Sequence, residues 1–270
     1  MNIIDTFTQP FMLQALFVGI LVGILLAVLG VFITLRNKAF LVDGISHGSL
    51  AGIAIGLVLF GQPLMLALMV AVLIAVGITY FQKNSNVQVD SLIGIFYTVF
   101  FALGVLIINL SSSYQPDITR YLFGSLLFLD EGSMYLSAGT FFIVFILILF
   151  NYSKLLYVTF DPEAAYIRGI KVDRWELLLN IMTSMAIVIA LKLIGVVMVS
   201  GLVIIPASIA RLLARDFKSM IPVSILASIT STILGIVLSY YLDVPSGASI
   251  VMIAGIIFLL SFLLHKIRLF

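Results

Sequence analysis

The sequence predicts an all-α, polytopic membrane helix bundle of about nine spans. Three observations carry this reading. Of 270 residues, 63% are hydrophobic and only 10% are charged, and the mean hydropathy is +1.28; a water-facing surface needs far more charge. The apolar residues gather in stretches of about 20, the length that crosses a bilayer as a helix. The basic residues gather in alternate connections between those stretches.

The spans read 11–35, 39–60, 63–81, 91–110, 134–153, 175–194, 195–213, 219–241 and 248–265. The first run is too long for the apolar region of a signal peptide and lacks a basic leader, so it is expected to remain as a span. The second carries Asp43 and His47. The region 175–213 is one apolar tract broken mainly by Lys192 and Gly195, which makes the boundary between the sixth and seventh spans the weakest. The connection 111–133 is apolar enough to lie at the outer interface as a short helix. The inner connection, 154–174, is also longer than a turn. No length remains for a second, soluble domain, so 1–270 is read as a single transmembrane domain.

Charge sets the orientation. With the N-terminus outside, the inner connections hold Arg36, Lys38, Lys83, Lys154, Arg168, Lys171, Arg174, Arg211, Arg215, Lys218, Lys266 and Arg268. The outer ones hold Arg120 beside Asp5, Asp117, Asp130, Glu131 and Asp243. This asymmetry places the C-terminus in the cytoplasm. Cys is absent, which excludes disulfides, thiolate ligands and cysteine nucleophiles. No basic run suggests nucleic acid. There is no H-E-x-x-H, G-x-S-x-G or G-x-x-x-x-G-K-[ST] signature, so any ATP hydrolysis by a phosphate loop belongs to another polypeptide.

Three segments could carry chemistry. A carboxylate within a span costs roughly 2.5–3.5 kcal/mol on insertion scales, so Asp43 is a functional candidate with a partner nearby. His47 lies four residues on, on the same helical face, and a carboxylate beside an imidazole makes half of a divalent-metal site. The alternative makes Asp43 the N-cap of the second span, with Ser46 at N3. Gly44, Gly48, Ser49, Ala51 and Gly52 keep this helix thin, so backbones approach closely and leave a narrow polar track. One chain lacks the ligands for a closed site, whereas a two-fold dimer would bring two Asp43 and two His47 to one dication.

The second segment runs from Thr159 to Lys171. Asp161 suits an N-cap, Pro162 the first helical position, Glu163 the first turn and Gly169 the stop. Such a capped helix, about two turns long, reads as a docking element for a cytoplasmic partner, or as a helix lying on the membrane surface. In the third segment Pro206 removes a backbone bond and kinks its span. Small residues around it, among them Gly195, Ser200, Gly201, Ala207 and Ser208, favour close packing; the sharper alternative is a broken helix lining a pathway.

The motif Leu29-Gly-Val-Phe-Ile-Thr-Leu-Arg-Asn-Lys, followed by Asp43-Gly-Ile-Ser-His-Gly-Ser-Leu-Ala-Gly52, closely resembles the permease subunits of bacterial zinc and manganese ABC importers. Tyr121-Leu-Phe-Gly-Ser-Leu-Leu, Asp161-Pro-Glu-Ala-Ala and Leu202-Val-Ile-Ile-Pro-Ala-Ser-Ile-Ala-Arg resemble the same family in the same order. Asn37 stands where a second Arg is usual, and Gly44 where Ala or Thr is commoner.

The resemblance implies a plasma-membrane permease with a fold like that of the cobalamin and siderophore importers, working as a dimer with its pathway on the two-fold axis. It implies cytoplasmic ATP-binding subunits that hold the ATP, and an extracellular metal-binding lipoprotein or periplasmic protein that delivers the ion. No cofactor is expected on this chain. Asp43 and His47 match the family's metal pathway. The helix at about 161–170, with Asp161, Pro162, Glu163, Ala164, Ala165, Arg168 and Gly169, matches its ATPase-coupling position. Ser49-Leu-Ala-Gly is similar to zinc-type members, with manganese (or iron) as the alternative cargo. Two other classes stay in view. An ion-coupled secondary transporter would need no ATPase, and an intramembrane metalloenzyme would need more ligands than Asp43 and His47 supply.

Overall fold

Hydrocarbon offers no hydrogen bonds, so a chain that crosses it must satisfy its backbone internally. The computed structural model describes residues 9–110, 124 and 131–268, and among these every regular element is helical. The elements are α1 (Pro10–Leu35), α2 (Ala39–Gly48), α3 (Leu50–Ile55), a π-helical turn (Gly56–Phe60), α4 (Pro63–Asn84), α5 (Val89–Leu110), α6 (Glu131–Phe160), α7 (Pro162–Ile167), α8 (Val172–Ile194), α9 (Val196–Leu213), α10 (Phe217–Leu242) and α11 (Ser246–Arg268). The expected outer interface helix, with Asp117, Arg120 and all of the Tyr121 motif but Gly124, lies outside the described residues.

Each of the nine apolar stretches has become a helix. By length and composition, eight are long enough to cross a membrane, and the shorter Met198–Leu213 lies within α9. Two bounds need correction. α6 continues to Phe160 and α8 begins at Val172, so Lys154 is helical and the inner connection shrinks to α7 and its flanking turns. Nothing between Asn151 and Phe160 breaks a helix, whereas the Asp161-Pro162 pair does. Lys154 is held in place over the Trp175 ring, 4.8 Å from its centroid. Asp43 is not an N-cap. Lys38 holds that position for α2, which leaves Asp43 inside the helix.

The chain forms two contact units. In one, residues 9–34, 124, 131–142 and 189–268, α9, α10 and α11 pack on one another. α1 meets this group through small residues. A Cβ at Gly30 would stand 2.1 Å from the Val203 carbonyl oxygen. Ser228 Oγ donates to the Gly23 carbonyl at 2.9 Å, and Ser224 Oγ to that of Ala27 at 3.1 Å. Close approach of this kind lets dispersion and hydrogen bonding hold helices together where lipid removes the hydrophobic drive. Gly195, at φ +93°, ends the tract shared by α8 and α9. Gly124 and Gly247 both press against Ile194 there, where a Cβ on either would come within 2.2 Å of Ile194 backbone atoms. The α10 N-terminus is fixed by a reciprocal pair: Asp216 Oδ1 accepts from the Ser219 amide at 2.9 Å, and Ser219 Oγ faces the Asp216 amide at 3.3 Å.

The other unit, residues 35–110 and 143–188, sets α2 and α3 against α4 and α5. α2 runs into α3 without a break, because the Ser49 amide donates to the Ile45 carbonyl and the Ser49 carbonyl accepts from Ile53. The glycines expected to thin this helix do so. Gly44 receives Ile93, Gly48 receives Ile74, and Gly52 receives the backbone at Leu66 and Ala67. Those surfaces are filled by neighbours, so the glycine stripe is packing, and a polar track would run elsewhere.

Gly30→Ala is expected to lower stability by about 1–3 kcal/mol, the range for overpacking a close contact. Thermal unfolding of the purified protein in detergent would show this as a reduced midpoint, with Gly94→Ala, whose Cβ would meet nothing within 4 Å, as the neutral comparison.

Candidate metal-translocation site

α2 carries Asp43 and His47 on one face, both half-buried. His47 Nδ1 lies 3.1 Å from the Asp43 carbonyl oxygen. A carbonyl only accepts, so Nδ1 is the donor in this contact and Nε2 is the ring nitrogen it leaves unengaged. A backbone acceptor on one ring nitrogen is also how metal-binding imidazoles are commonly oriented. The imidazole meets Tyr97 edge-on at 5.3 Å between centroids, with Phe101 at 6.4 Å. These α5 residues are four apart and were not singled out in the sequence. Their spacing is the one available signal, and it is shared by ordinary core stripes. Among the described residues no group of three or more His, Asp or Glu could hold a metal ion. Among the described residues the Asp43/His47 pair is therefore part of no larger ligand group.

A second polar cluster lies at the start of the same unit, and sequence reasoning missed it. Glu176, on the first turns of α8, is buried. Its Oε1 accepts from Arg36 Nη2 at 3.0 Å, from Lys38 Nζ and from Gln82 Nε2 at 3.3 Å. Lys38 Nζ also donates to Gln82 Oε1 at 3.1 Å. Burial pushes the Lys38 ammonium below the ordinary lysine range, against the opposing pull of Glu176. One turn along α8, Asn180 Nδ2 donates to Thr79 Oγ1 on α4 at 3.0 Å. Near the surface, Lys83 pairs with Asp173 at 2.6 Å. The 36–38 turn, the end of α4 and the start of α8 therefore meet. These three places were assigned to one side of the membrane by charge alone. Breaking a buried ion pair by removing one partner is costly, about 3–5 kcal/mol, whereas an exposed pair such as Lys83–Asp173 is worth about 0–1 kcal/mol.

α7 is capped at both ends. The Asp161 carboxylate accepts from the Ala164 amide at 2.8 Å, and Pro162 takes the first helical position. At the other end the Ile170 amide donates to Ala165 and the Gly169 amide to Tyr166, with Gly169 at φ +76°. This double bond pattern is a Schellman termination, which the left-handed conformation of glycine permits. Ala165 is buried, while Tyr166 and Ile167 are 77% and 83% exposed. Arg168 lies 4.4 Å over the Tyr157 ring and donates to its hydroxyl. The structure thus brings Asp161, Pro162, Glu163, Ala164, Ala165, Arg168 and Gly169 into one rigid element, and adds an apolar tip that the sequence did not mark.

In the third segment Pro206 lies inside α9 and is buried, while Ser208 is half-buried. Gly201 faces Val251 of α11, where a Cβ would stand 2.9 Å from a valine methyl.

A family model described as the ABC 3 transport family matches residues 8–265. The chain belongs to the ABC 3 transport family. It is a multi-pass permease rather than an enzyme, and ATP hydrolysis belongs to a partner chain. It is 36% identical over 255 residues to a manganese transport system membrane protein of Halalkalibacterium halodurans, covering 94% of this chain and 87% of that one. It is 33% identical over 248 residues to a high-affinity zinc uptake system membrane protein of Haemophilus influenzae, covering 92% and 95%. Among solved structures, PsaBC from Streptococcus pneumoniae in complex with Fab superposes with a TM-score of 0.86 at 33% identity, over 96% of this chain and 94% of that one. An inward-facing putative metal-chelate type ABC transporter shares the fold, with a TM-score of 0.74 at 20% identity, over 93% and 85%. Membership in this permease family sets aside both the ATPase-free secondary transporter and the metalloenzyme.

Asp161→Ala is expected to remove about 0.5–2 kcal/mol of helix-capping energy. Hydrogen exchange at the Ala164 amide would quicken in this variant, while exchange within α8 stays unchanged.

Proposed function

We propose that this chain is the membrane-spanning subunit of an ATP-driven importer for a divalent transition metal, and that Asp43 and His47 contact the ion in transit. The observation that carries the reading is the contact of His47 Nδ1 with the Asp43 carbonyl in its own helix, which leaves Nε2 unengaged by that contact on the helical face that also carries Asp43. A carboxylate and an imidazole on one face can take part in binding a dication, and among the described residues no group of three or more His, Asp or Glu offers an alternative site. Two copies related by a two-fold axis would supply four ligands and two negative charges.

Zinc is the substrate favoured by Ser49-Leu-Ala-Gly and by the Irving–Williams order. The relatives include manganese and zinc systems alike, so manganese stands beside it. The rest of the reading is a single permease domain, working as a homodimer in the bacterial plasma membrane, with the N-terminus outside and the C-terminus in the cytoplasm. Cytoplasmic ATPase subunits would engage α7. An extracellular metal-binding protein would deliver the ion. ATP binding moves α7, the permease halves rock, and the Asp43/His47 pair opens to one side and then the other. Pro206, with Gly201 and Ser208 near it, removes a backbone bond within α9 and is the point around which such a motion would occur.

In proteoliposomes holding the complete transporter, His47→Ala is expected to abolish uptake of labelled zinc and manganese while the complex still assembles. Unchanged uptake would remove the metal assignment. Glu163→Lys is expected to block uptake through loss of ATPase engagement, and normal transport in that variant would remove the coupling role of α7. Competition between the two ions in the unmutated complex decides the cargo: half-maximal zinc uptake at a lower concentration than manganese supports zinc, and the reverse order refutes it.

A further inference from the structure

We propose that Glu176 is a positioning residue that carries the state of α7 to the helix bearing Asp43 and His47. The inference rests on the transporter reading above and extends it. Glu176 lies seven residues beyond Gly169, in the helix that begins immediately after α7. Only Ile170 and Lys171 separate that helix from the end of the Schellman turn. The donors to Glu176 Oε1 come from the 36–38 turn and from α4. Lys38 holds the N-cap position of α2, so Asp43 follows by five residues and His47 by nine. At 1.5 Å per residue the metal pair stands about 7–14 Å along one rigid rod from the cluster.

The chemistry of the contact suits this role. A single carboxylate oxygen gathers three donors, two of them cationic, with the side chains of Arg36, Lys38 and Glu176 only 9%, 14% and 11% exposed. Poorly hydrated charges cannot separate without leaving one uncompensated, so the contact transmits displacement instead of absorbing it. The Asn180–Thr79 bond adds a second tie between α8 and α4. A displacement of the α7 exit therefore reaches both α4 and the α2 N-terminus. The exposed Lys83–Asp173 pair joins the same two helices, α4 and α8, at 62–63% side-chain exposure. Water screens it, which makes it the natural control.

The test uses the complete transporter in proteoliposomes, reading metal uptake and ATPase activity per assembled complex. Glu176→Gln keeps the shape and removes the charge. It is expected to leave ATP hydrolysis in place while uptake per ATP falls about tenfold, within the span of a typical coupling free energy. Asp173→Asn is expected to transport like the unmutated protein. Pairing Glu176→Lys with Lys38→Glu restores an opposite-charge pair between these two positions, with Arg36 left facing the new lysine, and is expected to recover part of the lost coupling. Unaltered uptake per ATP in Glu176→Gln overturns the proposal, and so does a parallel fall of uptake and hydrolysis that the charge swap does not relieve. If neither Glu176→Gln nor Lys38→Met assembles, the cluster is a folding element and the relay is overturned. Glu163→Lys separates the layers. If it blocks uptake while Glu176→Gln does not, the relay fails and the transporter reading stands; if neither variant alters uptake, the relay and the coupling role of α7 both fail.

Discussion

Within hydrocarbon an unpaired polar group finds no water to take it, and each such group must be satisfied by the chain itself. This constraint orders the whole molecule. It makes every described regular element a helix, and it lets serines and threonines return their hydroxyls to carbonyls, as Ser228 and Ser224 do on α1. It also restricts buried ionic groups to places where something compensates them. Glu176 is compensated by two cations and an amide. Asp43 and His47 are only half-buried, and the His47 ring meets the Asp43 backbone carbonyl.

Because lipid is as apolar as the side chains facing it, burial of apolar surface does not drive the helices together, and close fit does. The glycines of α1 and α2 provide that fit. Gly30 admits a carbonyl of α9, and Gly44 and Gly48 admit isoleucines of α5 and α4. The helix carrying Asp43 and His47 is therefore tightly seated in its own unit. The rigidity of α7 has a different source. Its six residues are too short to be stable alone, and they are held by a side-chain cap at one end, a glycine-dependent double bond at the other, and burial of Ala165.

These features combine into a physical account of transport in an ABC 3 permease. A dication needs anionic or neutral donors whose geometry changes between two states, and the energy for the change comes from a partner chain. On the reading proposed above, the partner would act on the exposed element α7, whose apolar tip of Tyr166 and Ile167 offers surface to bury. The helix that follows meets the turn preceding α2 at a buried charged contact. Force would then enter at α7, with the proposed ligand pair on α2.

The sequence by itself determined the helical membrane class, the positions of the spans, the caps of α7 and the Asp43/His47 pair. All of these are local: apolar run length, charge at span ends, turn chemistry and a four-residue spacing act within a few residues. It misplaced the ends of α6 and α8 because nothing local marks where a helix leaves the bilayer. Asp43 looked like a cap because a carboxylate suits a helix N-terminus, and only the chain path shows that the helix begins earlier, with Lys38 at its N-cap position. The tertiary structure alone decided which carbonyl the His47 ring meets, that Tyr97 and Phe101 flank it, that the glycine stripe is filled by isoleucines and by the Leu66–Ala67 backbone, and that Glu176 meets Arg36 and Lys38. Residues 138 and 140 apart in the chain come together only when three helix ends do, and no short-range pattern encodes that meeting.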